Sequence, residues 1–98
     1  MTLRVASEAE KEYAGSALYY LEASPPAALA FIEEVEEALI EITEAPERYP
    51  YHVPNIRVRV LDTYPFSIFY RVIEAEDEVL VLSISHQSRE PSHWSDRV

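Results

Sequence analysis

The chain changes its hydrophobic period near residue 46. Before that point apolar residues recur at three- and four-residue steps; after it they alternate with polar ones. Leu29, Ile32, Val35, Leu39 and Ile42 form a stripe at helical spacing, and Glu33, Glu34, Glu36, Glu37, Glu41 and Glu44 cover most of the remaining surface. Ser24 is the expected N-cap of this helix, with Pro25 in its first turn, where a missing N–H costs nothing. Pro46 ends it. An earlier helix runs to about Glu22 with Tyr13, Ala17, Tyr20 and Leu21 on one face, and Ser7 with Glu10 reads as a capping box at its start.

Three strands follow. Ile56, Val58 and Val60 alternate with Arg57 and Arg59, FSIFYRVI alternates from Phe66 to Ile73, and VLVLSIS follows the acidic turn EAEDE. APERYPYHVPN between Ala45 and Asn55 reads as a proline-rich loop, and TLRVA at the N-terminus as a short strand beside the last ones. The predicted order is β-α-α-β-β-β with a short C-terminal tail. This is an α+β fold with two N-terminal helices on one face of a small antiparallel sheet, and residues 1–98 form one domain. The more apolar set, Val58, Val60, Ile68, Tyr70 and Val72, is expected to face the helices. Arg57, Arg59, Ser67 and Arg71 then face away, which gathers three arginines on the open face.

Charge sharpens this picture. The net charge is −10 over 98 residues. Residues 1–50 carry eleven acids against three bases, and residues 51–98 seven against five, so the basic stretch around Arg57, Arg59 and Arg71 sits in an acidic body. Nonspecific nucleic-acid binding rests on many Lys/Arg contacts and is disfavoured here. A single lysine is compatible with a saline host cytoplasm. There is no cysteine, hence no disulfide or thiolate metal site. No N-terminal signal pattern or membrane-length apolar run is visible, and the expected location is cytoplasmic. His52, His86 and His93 lack metal-ligand spacing, so neither metal nor cofactor is expected.

The last thirteen residues, HQSREPSHWSDR with Val98, carry the chain's one tryptophan. Pro91 and Trp94 read as a clasp holding the tail to the body, with Trp94 covering an apolar sheet edge. Arg97 is expected to stack on Trp94 or pair with a glutamate. His86 reads first as a buried or partly buried histidine hydrogen-bonded to backbone and second as a catalytic group. Arg57 and Arg59 fit phosphate binding, pairing with an acidic partner segment, or a solvated strand face. Arg71 reads as a structural cation, and Tyr13, Tyr19 and Tyr20 as packing groups.

Nearly the whole chain resembles the RelE/ParE superfamily of small bacterial toxins, of the plasmid-stabilisation type. The resemblance rests on the early S-x-x-A/E helix start and on ALYYLEASPPAALAFIEEVEEALIEI followed by PERYP. It continues through RVR, YPFSIFYRV and HQSREPSHWSDR, with the last two together the most specific. It implies a type II toxin neutralised by a cognate antitoxin, acting on DNA gyrase or on translation. It allows a homodimer or a toxin–antitoxin heterotetramer. RelE-like members cut mRNA on the ribosome with basic residues on the open sheet face and last strand and an aromatic residue in the tail. By that resemblance Arg57, Arg59, Arg89 and His86 are the candidate catalytic residues. Arg57, Arg59, Arg71, Arg89 and Trp94 are the candidate antitoxin- or target-binding residues. Ser67 stands where an active nuclease has arginine, and Trp94 near the place of a tyrosine. A hydroxyl cannot neutralise a developing phosphate charge, and arginine is a poor general base. These losses, with the acidity, tilt the reading toward gyrase. The alternatives are a ribosome-dependent mRNA endonuclease and a degenerate, non-toxic antitoxin-binding module.

Overall fold

The computed structural model describes residues 1–90 and 92–98. Strand β1 (Thr2–Val5) leads into helices α1 (Ser7–Ala23) and α2 (Pro25–Glu44). Strands β2 (Tyr51–Val53), β3 (Ile56–Val60), β4 (Phe66–Ile73) and β5 (Glu78–His86) follow, with 3₁₀ turns at Pro46–Arg48, Glu74–Glu76 and Ser95–Arg97. The sheet order is β1-β5-β4-β3-β2. The expected α+β layout holds, with two additions. The proline-rich loop contains β2, a fifth strand that hairpins onto β3. The sheet is also mixed, because β1 runs parallel to β5. That pairing needs a crossover connection, which the two helices supply. Among the described residues no helix is long and apolar enough to cross a membrane.

Ser24 explains the tight helical hairpin. Its N–H donates to Tyr20 O at 2.8 Å and closes α1, while its Oγ accepts from Ala27 N at 3.4 Å and opens α2. Its extended backbone serves both helices, and Pro25 continues without needing a donor. The start of α1 differs from expectation. Ala6 is its N-cap and no side chain caps it; Ser7 already lies inside the helix.

The stripe on α2 is rotated from the predicted one. Phe31, Val35, Ala38, Leu39 and Ile42 are buried, whereas Leu29 is 59% exposed and Ile32 lies at the surface. Phe31 takes the core position through its larger ring, meeting Tyr20, Tyr64 and Phe66 at centroid distances of 5.1, 5.4 and 4.8 Å. Beneath the helices Ile68 and Tyr70 of β4 join Val79, Val81 and Ile84 of β5. Tyr70 donates to Pro46 O, and burial pushes its hydroxyl up to about 12, so it remains a donor. Val5 packs on this core, but Leu3 stays at the surface of β1. Of the α1 tyrosines, Tyr13 and Tyr20 pack as expected and Tyr19 is exposed.

A second, smaller cluster covers the opposite face: Ile56, Phe69, Leu80, Leu82 and Trp94. The tail supplies its lid. Trp94 is 4% exposed and stacks at 5.1 Å on Phe69, in the anchoring role expected of it. Pro91, its expected companion, lies outside the described residues.

Candidate functional site

Strand register decides which side chains can meet. Residues paired across neighbouring strands share a face, and Arg57 pairs with Tyr70 and Arg59 with Ile68. Tyr70 and Ile68 face the helices, so both arginines do too. Val58 and Val60 face the open side, paired with Phe69 and Ser67. This reverses the expected parity of β3 and separates the three arginines. The physical reason lies in the long stems and many donors of arginine. Arg59 donates to Glu41 of α2 at 3.1 Å and its guanidinium sits 5.3 Å from the Tyr49 ring centre. Burial works against the Arg59 charge, but the Glu41 hydrogen bond and the charges of Tyr49, Glu41 and Asp62 outweigh it and raise its pKa. Arg57 donates to Tyr49 O at 2.7 Å and to Tyr51 Oη at 3.0 Å, tying the loop before β2 to the sheet.

The open face presents a cleft of about 220 Å³ near the end of β5, lined by Val58, Val60, Ser67, Ser85, His86 and Arg89 among others. Only Arg89 and His86 of the four candidate catalytic residues are here. His86, expected to be at least partly buried, is exposed at the end of β5; it does bond to backbone, accepting from Ser88 N on Nδ1 at 3.0 Å, and rests edge-on against Phe66. The Arg89 side chain is 53% exposed and lies 3.9 Å from Glu12. Arg71 is on this same face, but four residues along β4 from Ser67, about 13 Å at strand rise. The arrangement offers hydroxyls, apolar walls and one nearby cation. It lacks the converging positive charges that phosphoryl transfer needs.

The structure brings together a different group, centred on Glu12 of α1. β1 covers β5 only over Glu78–Val81, leaving the next stretch of that edge unpaired. Glu12 fills the gap: its Oε1 accepts from Ile84 N at 3.2 Å and Ser83 Oγ at 3.0 Å. From the tail, Arg97 reaches Oε1 at 3.0 Å and His93 Nε2 meets Oε2 at 2.9 Å. Burial alone would raise the Glu12 carboxyl. Hydrogen bonds from Arg97, His93 and Ser83 outweigh it and hold it below its ordinary value. The tail is therefore clasped at two points, Trp94 in the apolar cluster and Arg97 on Glu12. Pairing of Arg97 with a glutamate was expected; the identity of Glu12 was not. The available signal was its position three residues after Ala9, on the inner side of α1, where a carboxylate needs a partner.

This fold and chain match a known family over residues 3–91, described as the ParE toxin of the type II toxin-antitoxin system, parDE. The chain belongs to the ParE toxin family. It is thus a type II toxin. Solved structures agree on the fold. The chromosomal ParDE TA system from P. aeruginosa superposes with a TM-score of 0.75 at 23% identity, covering 88% of this chain and 95% of that one. The isolated E. coli RelE toxin gives 0.64 at 21% identity over 98% and 94%. The intact E. coli RelBE toxin-antitoxin complex gives 0.64 at 22% over 90% and 98%. No curated protein matches the ParE-family chain. Among the described residues there is no cluster of His, Asp or Glu fit to hold a metal.

Proposed function

We propose that this ParE-family toxin arrests growth by binding a protein target, with DNA gyrase the expected one, and not by cutting RNA. The carrying observation is the face of β3. Val58 and Val60 stand on the open side, while Arg57 and Arg59 are engaged on the helix side with Tyr49, Tyr51 and Glu41. A nuclease of the RelE kind needs positive charge where these valines and Ser67 lie. In this reading Arg89 and His86 make target contacts at the exposed end of β5, and Trp94 holds the tail that presents them. A cognate antitoxin neutralises the toxin by laying an amphipathic segment on it, which suits the exposed Leu18, Leu21, Leu29 and Ile40 of the helical hairpin. The expected assembly is a heterotetramer, to be sized by light scattering of the co-expressed pair.

The test is induction in a bacterial host with pulses of labelled thymidine and methionine. Thymidine incorporation falls first, and Arg89→Ala weakens the effect. An earlier fall in methionine incorporation, lost in Arg89→Ala, makes the chain a ribosomal nuclease instead. If neither label changes while soluble protein accumulates, the chain is a non-toxic antitoxin-binding module in that host.

A further inference from the structure

Arg71 differs from the other arginines. Arg4, Arg59, Arg89 and Arg97 each lie within 3.9 Å of a carboxylate oxygen, Arg57 donates to backbone carbonyls, and Arg48 is exposed. Arg71 is half-buried and, among the described residues, forms no ion pair; its Nε is buried without an acceptor. It lines a pocket of about 380 Å³ between the β2–β3 hairpin and the tail. Val53, Pro54 and Ile56 form one apolar wall, and Trp94 and Val98 another. Trp94 Nε1 is also buried without an acceptor, so two of the three such donors among the described residues belong to this one lining.

The hairpin is built to hold that shape. Asn55 adopts a left-handed conformation, φ 71°, after Pro54, as the third residue of a type II turn does. Asn55 lines the pocket together with Arg71. The chain has eighteen acidic residues, yet none of the described residues lining this pocket is acidic. A smaller hollow that shares Arg71 and Asn55 includes Glu47 and Glu74, and neither glutamate reaches Arg71 at ion-pair distance.

A guanidinium fork matches a carboxylate in two parallel hydrogen bonds, and apolar walls strengthen such a pair. A free small anion is repelled at long range by a surface of charge −10. A carboxylate carried on an apolar body also gains from burial of that body. We propose that this pocket receives an acidic side chain of a partner polypeptide. Its carboxylate sits on Arg71 and Asn55, and an aliphatic neighbour packs against Val53 and Trp94.

The test is titration of the ¹⁵N-labelled chain with acetyl-Leu-Glu-Leu-amide, followed by the single indole N–H resonance and the Arg71 Nε–H. The expected result is saturable movement of both, about tenfold tighter than with acetyl-Leu-Gln-Leu-amide. Arg71→Gln abolishes that preference and Arg71→Lys keeps part of it. Equal affinity for the two peptides, a preference surviving in Arg71→Gln, or no saturable shift each overturns the proposal. Acetyl-Leu-Leu with a free carboxyl terminus is the remaining arm. If it binds and the glutamate peptide does not, the pocket reads a chain terminus, and the side-chain assignment fails. None of these readouts depends on toxicity, so failure here leaves the gyrase reading standing, and the reverse.

Discussion

At the scale of single residues, Glu12 carries more of the tertiary structure than any arginine the sequence draws attention to. It takes a backbone N–H from an uncovered strand edge, a hydroxyl from Ser83 and two tail side chains. Replacing it by alanine leaves Ile84 N–H, Arg97 and His93 short of an acceptor in a largely buried place. The expected cost is about 2 kcal/mol in urea unfolding, the range for losing hydrogen bonds to a charged group. The pH dependence has a definite sign. The Glu12 pKa lies below its ordinary value of 4.5 when folded, so its contribution is complete above that value. It is lost as pH falls from 4.5 through the lower, folded value. The gap in unfolding free energy between the wild type and Glu12→Gln should thus narrow as pH falls from 4.5 toward about 3. A gap that widens between pH 4.5 and about 3 contradicts the network.

At the scale of elements, the number and order of helices and long strands were legible because period changes are a backbone property. Which face each element buries was less so. Alternation in Ile56–Val60 gives two faces but does not say which one meets the helices. Hydrophobicity alone placed Val58 and Val60 inward, since it takes no account of Glu41 and the carbonyls near Tyr49, which hold Arg57 and Arg59 there. The short β2 was hidden by Pro50 and Pro54, which flank it without interrupting its three residues. The Glu12 group joins residues more than seventy positions apart, and no local pattern encodes it. The rotated α2 stripe is testable by paired truncations. Phe31→Ala should cost about 3–5 kcal/mol by creating a core cavity. Leu29→Ala, at a mostly exposed position, should stay within about 0.5 kcal/mol. Reversal of that order in denaturant unfolding contradicts the placement. The same helix ends in Glu41 and Glu44 with no basic residue in its last turn. Glu44→Lys, which complements the helix dipole there, should stabilise by about 0.3–1 kcal/mol.

At the scale of the whole molecule the dominant fact is charge. Much of the −10 lies on the helical hairpin, where Glu33, Glu36, Glu37 and Glu44 are exposed to water. Like charges crowded on one surface oppose the compact state, and a net charge this far from zero does so at long range. The attractive pairs are placed differently. Arg59–Glu41 and Arg97–Glu12 have side chains largely withdrawn from solvent on at least one partner, where salt screens weakly. Added salt therefore removes repulsion faster than attraction. The Debye length falls from about 30 Å at 0.01 M to 3 Å at 1 M, from longer than the molecule's radius of gyration to shorter than a contact distance. The expected result is a rise in Tm of about 4–8 °C between 0.01 and 0.5 M NaCl, equivalent to about 1 kcal/mol for a domain of this length, read by circular dichroism. Chloride and sulfate at equal ionic strength separate screening from exclusion effects, because screening depends on ionic strength alone. A Tm that falls with chloride means that the surface attractions outweigh the repulsion, and the acidic hairpin is then not a destabilising surface at all. A rise also bears on the antitoxin. A segment carrying positive charge would neutralise the same hairpin, so its affinity should drop with salt as the toxin alone grows more stable.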